Sequence, residues 1–356
     1  MKNPKERIIS VIVLIALLFL FYTTTVSSSD TPSVSAKSAV LYEPTSNEFL
    51  FERNADECLP MASTTKIMTA LIALESLSLN SEITVAAEAC GIEGSSLYLK
   101  PGEIFTVRDL ITGMMLRSAN DAAAALAYEI SGGISNFAVI MNERARLMGL
   151  TRTSFENPHG LDGKNHYTTA RELALISAEA MKNSDFKAIA MTKELTLTNK
   201  DGYSRHVTNH NKLLQMYEGS TGIKTGYTKK SGRCLVGAAE RNGISLISVT
   251  INAPDDWNDH SALFDFGFSV LDRFFAPAGA YKYSIPILNS DKNEITVASA
   301  EPFSYIYRKQ NGKIETQISL ARYTAEPRKA GDVLGSVNFI LNGKKIGEIP
   351  LIYIDV

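Results

Sequence analysis

Ser63-Thr64-Thr65-Lys66-Ile67-Met68-Thr69-Ala70-Leu71-Ile72-Ala73-Leu74-Glu75 reads as one helix with a chemical group at its start. The apolar run after Lys66 buries much of it. Residues three apart share a helical face, so the Lys66 side chain reaches the Ser63 hydroxyl. Upstream, Ser38–Tyr42 and Phe49–Glu52 are two strands joined by the turn-forming Glu43-Pro44-Thr45-Ser46-Asn47. Downstream, helices are expected over Val107–Leu116, Asp121–Ser131, Ser135–Met148 and Thr169–Lys182, with Asn120 or Asp121 as N-cap of the second. Strand character returns at Gly219–Tyr227, Arg233–Glu240 and Ile244–Asn252, the last two joined through Asn242-Gly243, a type I′ hairpin signal. Strands at both ends with helices between predict an α/β (α+β) layered domain on a mainly antiparallel sheet.

A closing helix is expected over His260–Phe275, then the linker Ala276-Pro277-Ala278-Gly279. Tyr281–Val356 reads as a small all-β domain, with a hairpin at Asn342-Gly343. The organisation is therefore residues 1–36 as signal peptide and leader, 37–276 as the main domain and 281–356 as a C-terminal β-rich domain. The leader has Lys2, Lys5 and Arg7, then the apolar Ile8–Tyr22, then small polar residues to Ser38. That is the pattern of a secretory signal, shorter than a membrane span of about 20 residues. Val26 and Ser28, or Val34 and Ala36, fit the cleavage positions; an uncleaved signal anchor is the alternative. Either way the rest of the chain works outside the cytoplasmic membrane.

The 356 residues are 45% hydrophobic and 21% charged, with Lys+Arg 36 against Asp+Glu 38 and net charge -2. This excludes a disordered or multi-span chain and gives no basic excess for nucleic acid. Three cysteines, Cys58, Cys90 and Cys234, support neither a disulfide framework nor a zinc site and read as unpaired or buried thiols. His206 and His210 lack a third ligand, so no metal or other cofactor is expected.

Three elements carry chemistry. Ser63 and Lys66 pair a hydroxyl with a base, provided burial or other cations lower the lysine pKa. Ser118-Ala119-Asn120, between two helices, projects a hydroxyl and an amide. Lys224-Thr225-Gly226, late in a strand, offers an ammonium, a hydroxyl and close backbone approach to a carboxylate. Taken singly, each has a plain structural reading: a helix cap, a surface lysine, a turn glycine. In this order they resemble the trio Ser-x-x-Lys, Ser-Asp-Asn, Lys-Thr-Gly of class A β-lactamases and penicillin-binding proteins, with Ser-Ala-Asn in the middle place keeping the hydroxyl and the amide.

With these motifs and Pro60-Met61-Ala62-Ser63-Thr64-Thr65-Lys66-Ile67-Met68-Thr69-Ala70, Glu93-Gly94-Ser95-Ser96, Asn157-Pro158-His159-Gly160-Leu161 and Thr168-Thr169-Ala170-Arg171, the chain resembles the low-molecular-mass penicillin-binding proteins of the serine D-alanyl-D-alanine carboxypeptidase group from about Ser38 to Val356. The resemblance implies a β-lactamase/transpeptidase-like fold and removal of the terminal D-alanine from peptidoglycan stem peptides through an acyl-enzyme, with β-lactams as covalent inhibitors. It implies Ser63 as nucleophile, Lys66 as base, Ser118 as proton relay and Asn120 as orienting group. Lys224, Thr225, Gly226, Tyr227 and Thr228 would bind substrate, with the N–H groups of Ser63 and Tyr227 as oxyanion hole. His159 reads as a structural histidine, and Cys58 as a packing residue.

Two departures stand out. Some members place an Arg shortly after the last sheet strand, where this chain has Asn252-Ala253-Pro254-Asp255-Asp256-Trp257-Asn258. Many end in an amphipathic membrane helix, whereas this chain ends in an alternating strand pattern, so no C-terminal anchor is expected. The rival readings are a β-lactamase using Glu156, a D,D-transpeptidase or endopeptidase sharing every catalytic residue, and a non-catalytic muropeptide or β-lactam sensor.

Overall fold

The computed structural model describes residues 31–288, 293–325 and 329–354. The apolar core of the proposed signal peptide lies outside them. Strands β1 (Ser38–Glu43) and β2 (Glu48–Arg53) form the first hairpin, and α1 (Lys66–Ser76) follows a 3-10 turn at Ala62–Thr65. A small ribbon, β3 (Glu82–Thr84) and β4 (Ile104–Thr106), precedes α2 (Val107–Arg117), α3 (Asn120–Ser131) and α4 (Ile134–Leu147). Then come α5 (Ala170–Met181), α6 (Ser184–Met191), the hairpin β5 (Glu194–Thr198)–β6 (Ser204–Thr208) and the single turn α7 (Leu213–Met216). The chain returns through β7 (Ser220–Thr228), β8 (Gly232–Arg241), β9 (Ile244–Ile251) and α8 (Asp256–Val270).

These strands make a five-stranded antiparallel sheet in the order β2-β1-β9-β8-β7, with β7 at an edge. Strand side chains alternate between faces. Val40, Val236 and Val249 pack with α1–α6, whereas Leu41, Leu235 and Leu246 pack with Leu263 and Phe264 of α8. Covering both faces explains why every residue of β1 is buried. Asn242 and Gly243, both at positive φ, close the β8–β9 turn as the Asn-Gly pair predicts.

The last expected helix needs correction. It ends at Val270, and β10 (Leu271–Ala276) follows as a strand paired with β13 (Phe303–Arg308). Its partner lies some thirty residues downstream, out of reach of local periodicity. The remaining strands are β11 (Lys282–Pro286), β12 (Glu294–Ser299), β14 (Glu315–Leu320), β15 (Val333–Leu341) and β16 (Lys344–Ile354). They form a second antiparallel sheet, β11-β12-β16-β15-β14, with its own core around Val297, Val337, Phe339 and Leu351. Phe303 stacks on Phe339 at 3.9 Å, over Gly347, where a Cβ would strike the Phe303 ring. Leu271 and Ile306 join the α8 cluster, and Arg308 Nε donates to Glu48 at 2.6 Å, so the β10–β13 ribbon is tied to the first sheet.

His260 of α8 is fully buried against β9, between the hydroxyls of Ser248 and Thr250. Burial pushes its pKa down to about 3, and those of His159 and His166 to about 3 and about 4. Unfolded histidines take up protons near 6.5. Stability from these neutral histidines is therefore complete above about pH 6.5 and is lost as pH falls toward their folded values, by about 1.4 kcal/mol per pH unit for each. Thermal unfolding midpoints should drop steeply from pH 6.5 to pH 4, and His260→Gln should show a shallower drop. Equal slopes in both proteins would contradict this.

Candidate active site

Site construction begins with a strained turn. Ala62, buried just before Ser63, sits at φ 48°, a region that costs a non-glycine residue of order 1 kcal/mol or more. A buried chain of hydrogen bonds holds it there. His166 Nδ1 accepts from the Glu156 N–H, so its Nε2 carries the proton and donates to Thr65 Oγ1, which donates to the Ala62 carbonyl. Asn157 Oδ1 accepts from the N–H groups of His159 and Gly160, and Thr69 Oγ1 donates to Pro158 O, fixing the facing loop. Gly160 is at φ 90°, and a Cβ there would lie 2.0 Å from Ala62 O.

Lys66 is 0% exposed. Its Nζ lies 2.9 Å from Ser63 Oγ, 2.6 Å from Asn120 Oδ1 and 2.5 Å from His159 O. The last two are carbonyl oxygens and only accept. A neutral amine can donate its two N–H bonds to them and turn its lone pair to the Ser63 hydroxyl. Burial first, and then the charge of Lys224, holds the Lys66 pKa well below its ordinary 10.5; Asp121 opposes this. Among the described residues neither lysine has an ion-pair partner. Lys224, 1% exposed, donates to Thr225 O at 2.9 Å, and burial pulls it down to about 7.

Asn120 does not cap α3, contrary to the sequence expectation, and neither does Asp121: the N-cap is Ala119, without a side-chain bond. Lys66 competes for the Asn120 carbonyl, while its amide nitrogen donates to Glu93 O. Gly94 leaves room for that amide. The buried Asp121 carboxylate instead accepts from Ser96 Oγ and the N–H groups of Leu97 and Leu99, ordering the loop beside the cleft. Ser118, in the left-handed region at φ 63°, faces the same cleft as Ser63. Its hydroxyl has no hydrogen-bond partner among the described residues.

The cleft, about 660 Å³, is floored by Ser63, Ser118, Thr225, Gly226 and Tyr227. A Cβ on Gly226 would lie 3.0 Å from Ser63 N, so glycine lets β7 approach the nucleophile's backbone. The nine residues singled out from sequence thus gather here, with two qualifications. Lys224 lies behind Thr225 rather than at the cleft surface. Thr228 is turned away: its hydroxyl donates to Asp162 Oδ1 at 3.0 Å beside Ser231. Glu156 also faces elsewhere, accepting from the Asn165 N–H. Cys58 is exposed rather than packed; Cys234 is the buried thiol, 3.9 Å from Pro60 O.

Sequence reasoning missed His166 and Thr65 as supports of the turn, and His210, Lys212, Arg233 and Trp257 as cleft residues. No local pattern marks them. The four cleft residues meet because α7 and α8 pack beside β7 and β8.

Two family profiles match the chain: D-alanyl-D-alanine carboxypeptidase over residues 24–255, and penicillin-binding protein 5, C-terminal domain, over 274–355. The Escherichia coli D-alanyl-D-alanine carboxypeptidase DacC is 34% identical over 96% of this chain and 89% of its own length. The structure of D-alanyl-D-alanine carboxypeptidase DacD from Francisella tularensis is 26% identical and covers 95% of this chain and 97% of that one, with TM-score 0.68. The Streptomyces K15 DD-transpeptidase structure is 32% identical over 67% of this chain and 99% of that one, with TM-score 0.64.

Gly160→Ala should force the Ala62–Ser63 turn to move. A loss of about 1–3 kcal/mol in urea unfolding is expected. Wild-type stability in this variant would show that the close approach constrains nothing.

Proposed function

The chain belongs to the D-alanyl-D-alanine carboxypeptidase family, and from that premise we propose that it removes the terminal D-alanine from peptidoglycan stem peptides through a Ser63 acyl-enzyme. One observation carries the assignment of roles: Lys66 is buried, with two carbonyl acceptors and the Ser63 hydroxyl around its nitrogen. Neutral Lys66 takes the Ser63 proton as Oγ attacks the carbonyl carbon of the penultimate D-alanine. The developing oxyanion is received by the N–H groups of Ser63 and Tyr227, donors whose individual loss typically costs about a hundredfold or more. Ser118 passes the proton to the leaving D-alanine nitrogen, and the C–N bond breaks. Water, with its proton taken by the same amine, then releases the shortened peptide. Asn120 holds Lys66 in place. Thr225 and Gly226 form the wall on which the substrate backbone lies, and Lys224 sets the local field. A β-lactam acylates Ser63 by the same attack, and its bulk blocks the water.

The likeness to a transpeptidase supports a second outcome for the same acyl-enzyme, capture by an amine instead of water. In this reading the leader directs export, 37–276 are catalytic, with Val34 and Ala36 just before them packed in the cluster under α8, and 281–356 form a β-rich appendage. The enzyme then works on the wall side of the cytoplasmic membrane.

D-alanine release from an N-acylated Lys-D-Ala-D-Ala peptide should be readily measured in the parent. It should fall on the order of 10³-fold or more in Ser63→Ala. Undiminished release in that variant would defeat the assignment. The rate should rise with pH as Lys66 loses its proton. Removing the like charge in Lys224→Gln should raise the Lys66 pKa and move that limb to higher pH. A limb that stays put or moves down would contradict the coupling.

A further inference from the structure

Substrate with a free C-terminal carboxylate needs a cation in the cleft. The two groups nearest in sequence terms are poorly placed. Lys224 is enclosed and spends a hydrogen bond on Thr225 O, and the Thr228 hydroxyl is committed to the Asp162 carboxylate. The cations that line the cleft outright are Lys212 and Arg233.

Arg233 is built into its position. It stands directly across from Tyr227 in the β7–β8 ladder and diagonal to Thr225, which pairs with Leu235. Cross-strand and diagonal neighbours share a sheet face. Its Nε and Nη2 donate to one oxygen of Asp256, at 3.0 and 2.6 Å. The Asp256 side chain is 4% exposed, whereas that of Arg233 is 42% exposed. The buried acid at the start of α8 therefore holds the guanidinium from behind, and Trp257 lies beneath it, 5.6 Å from Cζ to the ring centre. Two of five N–H groups are used. Nη1 has no hydrogen-bond partner among the described residues, so one edge of the fork is left for a second, bidentate acceptor. Lys212 is an exposed point charge with no such support.

We propose that Arg233 is the anchor for the substrate's terminal carboxylate and selects free chain ends over substrates in which that carboxylate is amidated or esterified. This rests on the acyl-enzyme reading above. The anchor comes from the strand next to the Lys-Thr-Gly strand, with Asp256 and Trp257 as its support.

Two activated thioesters of one N-acyl-D-alanine test it, one leaving thioglycolate and the other its methyl ester. Both report acylation, and they differ only in the carboxylate. Arg233→Gln should lose on the order of 10²-fold in kcat/KM on the first, with the second within about threefold of wild type. Arg233→Lys should recover part of the loss. Equal losses on both thioesters would mark a structural role and overturn the proposal. So would no loss on either, or a larger carboxylate-specific loss in Lys212→Gln. D-alanine release from the peptide by the parent, measured alongside, tests the acyl-enzyme reading separately, because the thioesters report Arg233 whether or not the peptide is cleaved.

Discussion

A lysine kept from both water and carboxylates is the constraint around which this protein is arranged. An ammonium in that position pays a desolvation cost of several kcal/mol. Lys66 meets two carbonyls and one hydroxyl, and the charge that acts on it most is that of a second lysine, Lys224. Both effects favour the uncharged amine, and the uncharged amine has a lone pair for one neighbour only. The rest of the site keeps that geometry. Asn120 and the His159 carbonyl fix the amine, His166 and Thr65 fix the turn carrying Ser63, and Gly226 brings β7 against it. Asp121 spends its carboxylate on backbone N–H groups rather than on Lys66.

The layered fold follows from covering β1, β8 and β9 on both faces, and this was legible in the sequence because their apolar runs and the Asn-Gly turn are local signals. So were the serine, lysine and glycine motifs, whose spacing places Ser63 and Lys66 on one helical face. What escaped were features made by distant partners. Leu271–Ala276 is a strand because Phe303–Arg308 lies beside it. Asn120 leaves its capping role because Lys66 and Glu93 offer better partners for its amide. Thr228 ends β7, one residue past the expected strand, and Asp162, sixty-six residues away, takes its hydroxyl. His166 has no sequence mark at all, although the nucleophile's turn hangs from it.

The second sheet reaches the first through the β10–β13 ribbon. Leu271 and Ile306 pack into the cluster under α8, and Arg308 pairs with Glu48. The same helix α8 begins with Asp256 and Trp257 at the cleft. One element thus closes the catalytic layer, starts the passage to the β-rich region and supports the cation we assign to the substrate carboxylate.

The central claim is that burial beside Lys224 holds the Lys66 pKa well below its ordinary 10.5 and so favours the neutral amine. Carbon-13 NMR of protein labelled at lysine Cε, with the Lys66 resonance identified by its loss in Lys66→Arg, reads that protonation state directly. The account predicts a titration well below the ordinary 10.5. A Lys66 resonance that titrates near 10.5, with the other lysines, would contradict it.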